Sequence, residues 1–292
     1  MSNDPQARLR DAETTYRPMH AGDLAAVHRL AQQMSWPHRP EDCAQMLQLG
    51  SGVVAVDAVG ATIGVGMRWS FGDGVGTIGM MLVERERQGR GIGRALMTSL
   101  IADSGARALM LNATAEGLGL YEKLGFVPAG LVHQHQGRVG ESPVLPAAPS
   151  VPLRRAVPAD HAALCALDEA AFGADRSALI RRLLANGVAW LVDGAAAAAG
   201  FAILRPFGRG MTIGPVVAPN EEEAIALVAA AASAAPPGVL RIDIPARAAH
   251  LGAWLTAAGL PAIDTVTTML RGAWSAQPKE PQRFGLALQA LG

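Results

Sequence analysis

Cysteine is nearly absent. Cys43 and Cys165 are the two in 292 residues, and they stand far apart in the chain. That excludes a disulfide framework and any cysteine-based zinc spacing, so each thiol is expected as a small core hydrophobe. An excess of either charge is missing too: 25 Lys+Arg balance 25 Asp+Glu, and the basic residues form no long block. A nucleic-acid footprint is therefore not expected. The longest apolar tracts, such as residues 224–235, are alanine-rich and interrupted, and the stretch from Met1 to Pro5 is polar. Neither suits a membrane span or a signal peptide. The expectation is a cytoplasmic protein without metal, membrane or nucleic-acid partner. What the chain does have is apolar mass, 50% hydrophobic against 17% charged residues, which suits a globular fold. Its length suggests about two domains.

The most informative stretch is residues 77–97. Ile78 to Val83 reads as a buried strand, a basic glycine-rich turn follows, and Ile92, Ala95, Leu96, Ser99 and Leu100 recur at helical spacing. A strand, a glycine turn and a helix start can together hold a phosphate. The first N–H groups of a helix lack internal acceptors, and the helix dipole favours an anion there. Gly89, Gly91 and Gly93 present no side chain to a diphosphate, and Arg87, Arg90 and Arg94 add positive charge. The loop is no Walker motif, since Gly93 is followed by Arg94-Ala95 rather than Lys-Ser/Thr. It is no Rossmann fingerprint either, because positions 94 and 96, where the third glycine would fall, hold Arg and Leu.

The spacing that fits is Gln88-x-x-Gly91-x-Gly93. It resembles the pyrophosphate loop of the GNAT N-acetyltransferases, Gln/Arg-x-x-Gly-x-Gly/Ala between a strand and a helix. Downstream, Asn112-Ala113-Thr114 and Tyr121-Glu122-Lys123-Leu124-Gly125-Phe126 resemble the family segment that ends in Tyr-x-x-x-Gly-Phe.

The rest of the first half reads as alternating elements. Residues 1–13 look like a frayed tail. A strand starts within 14–19, and Asp23 caps a helix through Leu24, Val27, Leu30 and Met34. Ser35 to Pro40 is a loop carrying Trp36 and His38, and a short helix spans Asp42 to Leu49. Strands over 53–56 and 63–69 flank a turn with Gly60, and a second turn covers Phe71 to Gly74. After the loop helix comes a strand over 108–112, then a helix carrying Tyr121 and ended by Gly125.

Residues 138–150, with Gly140, Pro143, Pro146 and Pro149, read as a linker. Beyond it the pattern returns at a slowly falling offset: Arg17…Asp23 as Arg154…Asp160, Thr77-Ile78-Gly79 as Thr212-Ile213-Gly214, and Leu118-Gly119-x-Tyr121 as Leu251-Gly252-x-Trp254. The chain is therefore read as two similar domains, 1–140 and 151–292. In the second copy the glycine loop is replaced by Pro219-Asn220-Glu221-Glu222-Glu223, and the tyrosine by Trp254. Three carboxylates at a helix start repel an anion, and an indole is no proton donor to a thiolate.

The resemblance implies an α/β (α+β) fold of two tandem GNAT-like domains, each a mixed, mostly antiparallel sheet flanked by helices. The first would be catalytic and the second degenerate. It further implies acetyl transfer from acetyl-CoA, without a metal, to a primary amine of a small molecule or peptide by direct attack. The coenzyme residues would be Met81, Leu82 and Val83 on the strand, Gln88, Gly89, Arg90, Gly91, Ile92, Gly93 and Arg94 in the loop, and Asn112 and Tyr121 beyond it. Tyr121 would protonate the leaving thiolate. Glu84 is the carboxylate nearest in sequence to serve as base, with His38, His133 and His135 as alternatives. Trp36, His38 and Asp243 are expected to face the acceptor, with Arg205 a further polar residue that could line it. A homodimer, a longer acyl donor and a non-enzymatic acetyl-CoA-binding module remain alternatives.

Overall fold

The computed structural model describes residues 14–72, 74–106, 108–141, 143–194, 198–274 and 280–292. The tail over 1–13, Asp73 of the second turn and Ser142 of the linker lie outside the described residues.

The repeat seen in the sequence is a repeat of elements. The first copy runs β1 (Thr15–Pro18), α1 (Leu24–Gln33), α2 (Pro40–Leu49), β2 (Ser51–Val56), β3 (Thr62–Phe71), β4 (Val75–Val83), α3 (Ile92–Ala102), β5 (Ala108–Ala113), α4 (Leu118–Lys123) and β6 (Val127–Val139). The second repeats that order as β7 (Leu153–Arg155), α5 (His161–Phe172), α6 (Ser177–Ala185), β8 (Val188–Asp193), β9 (Ala198–Phe207), β10 (Gly210–Ala218), α7 (Glu221–Ser233), β11 (Gly238–Pro245), α8 (Ala249–Ala257) and β12 (Ala262–Gly272), and adds β13 (Gln282–Gly285). The same fork-to-carboxylate pair opens both copies. Arg17 donates to both oxygens of Asp23 at 2.8 and 2.7 Å, and Arg154 to both oxygens of Asp160 at 2.8 Å. In each, the carboxylate also accepts the amide three residues earlier, from His20 at 2.9 Å and from Val157 at 2.8 Å. Asp23 thus organises the entry to the first helix through Arg17 and His20 rather than by a side-chain cap on α1 itself.

Compact units divide the chain differently from the repeats: one is Met1–Ser70 with Gly76–Ala106, the other Phe71–Val75 with Arg107–Gly292. In the first unit the strand order is β1-β2-β3-β4, with β1–β2 and β2–β3 antiparallel. Trp69 of β3, 1% exposed, fills the core beside α2 and donates Nε1–H to Met46 O at 3.0 Å. Gly64 and Gly66 of β3 let α3 lie close. A Cβ at Gly64 would stand 3.2 Å from Ile92 and 3.3 Å from Leu96, and one at Gly66 2.7 Å from Leu100.

In the second unit the order is β5-β12-β6-β11-β10-β9-β8-β7. β12 pairs antiparallel with β5 on one side and β6 on the other, and β6 pairs antiparallel with β11 along its length, from Val139 opposite Gly238 to Val132 opposite Pro245. The last strand of each repeat is thus wedged among strands of the other. The stretch read as a linker packs onto the second copy: Trp254 Nε1–H donates to Ala147 O at 3.1 Å, and Leu145 and Val151 lie against its core. Both cysteines are buried and unpaired, and burial pushes the Cys43 thiol up to about 11.

Candidate active site

Within the first unit, β4 carries a backbone irregularity. Met80 has φ of +52° and is buried, a conformation uncommon for any residue but glycine. Its neighbours Met81 and Val83 are half-buried and Leu82 is buried. The chain then reaches Glu84, whose amide donates to Ile63 O at 2.8 Å, and makes one tight turn over Arg85–Arg87. Gln88 folds back, its Nε2–H donating to Val83 O at 3.1 Å, so this side chain ties the loop to the end of the strand.

Gly89 and Gly91 adopt φ of +76° and +86°, and nothing lies within 4 Å of where a Cβ would stand on either. Gly91 is the N-cap of α3, no side chain caps that helix, and its first turn holds no acid. Ile92 is buried, anchoring the helix, while Arg90 and Arg94 are exposed. Arg87 lies 3.8 Å from Asp57. The result is an open, cationic helix start whose first amides have no side-chain cap. The same place in the second copy is already satisfied. Asn220 caps α7 by accepting from Glu223 N at 3.0 Å, and Glu221, Glu222 and Glu223 fill the first turn.

Glu84 is engaged: its Oε1 accepts from Arg29 of α1 at 2.9 Å, and Arg29 also donates to Thr62 O at 2.8 Å. Sequence reasoning missed Arg29, which lies far from Glu84 in the chain and belongs to no motif. Trp36 and His38 form a tilted ring pair with centroids 5.7 Å apart, both half-buried, on a loop pinned by Gln32, which donates to the carbonyls of both.

In the second unit, Tyr121 sits on the short helix α4 with its ring edge toward Phe126, centroids 6.2 Å apart. Gly117 makes room for it: a Cβ there would lie 2.7 Å from the tyrosine ring. Gly125, at φ +82°, ends the helix so that Phe126 N donates to Tyr121 O at 3.0 Å. Burial pushes the Tyr121 phenol up to about 12. Asn112 of β5 uses both ends of its amide: Oδ1 accepts from Thr268 at 2.7 Å, and Nδ2 donates to Gln289 O at 2.7 Å. Neither partner has a sequence signal, since both come from the far end of the chain.

Asp243 is 2% exposed and held by Arg241, whose guanidinium reaches it at 2.8 Å. It is therefore no surface acid. Arg205, also buried, donates to Ala287 O. His133 bonds Thr265 Oγ1 at 2.9 Å, and buried His135 donates from Nδ1 to Leu260 O at 2.8 Å. Burial holds the His135 imidazole below its ordinary value against the opposing effect of that bond. No group of three His, Cys, Asp or Glu among the described residues is placed to hold a metal. No helix among them is long and apolar enough to cross a membrane.

Residues 49–128 and 164–285 each match a family model described as Acetyltransferase (GNAT) domain. The uncharacterized N-acetyltransferase YitH of Bacillus subtilis (strain 168) is 30% identical over 233 residues, which cover 78% of this chain and 80% of that protein. The chain belongs to the GNAT acetyltransferase family. It is a tandem GNAT protein and an acetyl-CoA-dependent acyltransferase. Its fold is shared with a candidate acetyltransferase of Pyrococcus horikoshii, at a TM-score of 0.74 and 20% identity with 96% of each chain covered. It is shared also with a tandem GNAT protein from the clavulanic acid biosynthesis pathway, at a TM-score of 0.61 and 15% identity with 92% of this chain and 100% of that one covered. The two GNAT matches fall one in each repeat, although the compact units cut across them, because β6 and β12 pair outside their own repeat.

Proposed function

We propose that the chain acetylates a primary amine of a small molecule or peptide by direct attack, with one acetyl-CoA site per chain, at the start of α3. The repeat limits 1–140 and 151–292 are kept, the first as the catalytic domain and the second as the degenerate one. The observation that carries the reading is the contrast between α3 and α7. They stand at the same place in the repeat, yet one N-terminus is uncapped, glycine-lined and free of acid, and the other is capped by Asn220 and lined by three glutamates.

The residues at α3 fit the diphosphate of acetyl-CoA, which supplies an acetyl group activated as a thioester. The amides from Gln88 to Arg94 would hold the diphosphate, with Arg90 and Arg94 adding charge. Met81, Leu82 and Val83 would offer main-chain groups to the coenzyme arm and an N–H to the acyl oxygen. With its side chain held by Thr268 and Gln289, Asn112 would act through its main chain.

Tyr121 keeps its proton at Oη far above neutral pH. A free thiol ionises near ~8.5, so transfer from a phenol at about 12 is uphill. The role these values favour is a hydrogen bond from Oη to the departing sulfur, with the attacking amine supplying the proton finally taken up. Trp36 and His38 would face the acceptor, and their ring pair suits a cationic amine before it loses its proton. Glu84, in its pair with Arg29, remains the candidate base.

The test is a thiol-release assay over a panel of amines, run beside calorimetric titration with acetyl-CoA. Turnover with at least one amine and one coenzyme bound per chain is expected. Binding without turnover on any amine would favour a non-enzymatic module, and two bound per chain would overturn the reading of α7.

A further inference from the structure

In the second unit β10 and β11 run parallel, and their pairing covers only Gly210 to Ile213 against Val239 to Ile242. Beyond Ile213 the strands part, and the chain itself enters the gap. β13 pairs antiparallel with β10, Val216 opposite Gly285 and Ala218 opposite Gln282. The next residue crosses to the other wall: Leu286 N–H donates to Asp243 O of β11 at 2.8 Å.

Residues 287–292 then curl into a turn, Ala287 N–H donating to Gly292 O at 3.1 Å and the Leu291 and Gly292 amides to Leu288 O at 3.0 and 2.9 Å, and side chains from elsewhere hold several of its oxygens. Buried Arg205 donates to Ala287 O at 2.6 Å, and Asn112 to Gln289 O at 2.7 Å. Arg176, itself 1% exposed, donates to Leu291 O at 2.8 Å and Gly292 O at 2.7 Å. The wall is cut to backbone width, since a Cβ on Gly214 would collide with Leu286 O. Leu286, Ala287, Leu288 and Leu291 are all buried. Over residues 282–286 the contacts to both walls are main-chain ones, which read an extended amide backbone rather than particular side chains.

We infer that the gap between β10 and β11 is a groove for an extended, amide-bearing chain, and that residues 282–286 are its resident ligand in cis. While they stay in place, the second repeat is closed to a peptide or a coenzyme arm alike. Its acidic helix start then carries no penalty, because no diphosphate reaches it. The inference uses contacts of the second unit alone and does not rest on the catalytic reading.

The test uses the full chain and a synthetic peptide of residues 282–288. Leu286→Pro with Leu291→Asp removes the amide bond to Asp243 and one buried apolar side chain, which should release the segment and leave the groove intact. The peptide is expected to bind this variant saturably, one to one, and to raise its thermal midpoint by several degrees. It should do neither for the parent chain, or for the same variant carrying Gly214→Val. A folded double variant that ignores the peptide would overturn the inference, as would a parent that binds it equally well. Should the double variant fail to fold, hydrogen exchange on the parent decides. Protection of the Leu286 amide within about tenfold of β10 amides is expected, one factor of ten being ~1.4 kcal/mol of opening free energy. Exchange of that amide at free-chain rates would overturn it.

Discussion

Three side chains give separable tests at the scale of the residue. Tyr121→Phe removes the donor at Oη and keeps the ring against Phe126, so kcat should fall by roughly 10²–10³ with acetyl-CoA affinity unchanged. With the phenol at about 12, the protonated form persists above pH ~10, where an ordinary tyrosine would be half ionised. The parent rate should therefore show no loss attributable to this group up to that pH; a descending limb near 10 that disappears in the Phe variant would contradict the burial. His135 works in the opposite range. Burial lowers its folded value below the ordinary 6.5, so between the two values the unfolded chain binds more protons. Its share of stability is therefore complete above about 6.5 and declines as the pH falls through the lower, folded value. Urea titrations at pH 7 and pH 5 should show a drop that His135→Asn reduces. Asp168 and Arg176 form a two-pronged pair at 2.9 and 2.7 Å with both side chains essentially inaccessible. Asp168→Ala leaves a guanidinium buried without its counter-charge and should cost about 3–5 kcal/mol in denaturant unfolding.

The start of α3 is the test at the scale of the element. Gly91 sits at φ +86° with open space beside it, so Gly91→Ala meets no clash but pays about 1–2 kcal/mol for the left-handed backbone. Part of that would be relieved by shifting the loop, so acetyl-CoA affinity should fall together with stability. Gly119, inside α4 and also without neighbours at its Cβ, provides the control. Gly119→Ala should be neutral or stabilise by about 0.5–1 kcal/mol, because only chain entropy changes there. Calorimetric titration and unfolding of both variants separate the two effects. Both features of this helix were legible in sequence, in the glycines of one copy and the glutamates of the other. The turn over Arg85–Arg87 and the back-bond of Gln88 to Val83 were not, because main-chain geometry at the end of a strand depends on what that strand is paired with.

At the scale of the molecule, the strand exchange predicts how the chain can be divided. β6 belongs to the first repeat by sequence, yet its partners β12 and β11 both belong to the second. A fragment of residues 1–140 would carry β6 with neither partner, leaving an unpaired strand with a free edge on each side. Expressed alone it should be insoluble or lack a cooperative unfolding transition. Co-expression with residues 141–292 should restore a soluble 1:1 complex, measured by size exclusion and thermal melting. A well-folded, monomeric 1–140 would show that β6 finds another partner.

Amino-acid order alone establishes that there are two copies of one unit, which copy kept its glycine loop and which lost it, where the tyrosine stands, and the acetyltransferase family. All of these are carried by local patterns: hydrophobic period, glycine where the backbone turns left-handed, charge at a helix start. The tertiary structure decided what those patterns cannot encode. Strands pair through main-chain groups common to every residue, so nothing in Val127–Val139 names β11 and β12 as its neighbours. The same holds for residues 282–292, whose carbonyls are gripped by Arg205, Arg176 and Asn112 from distant parts of the chain. The strand position of Asp243 is visible in sequence. Its burial against Arg241 is visible only once side chains two apart on one strand share a face inside the core.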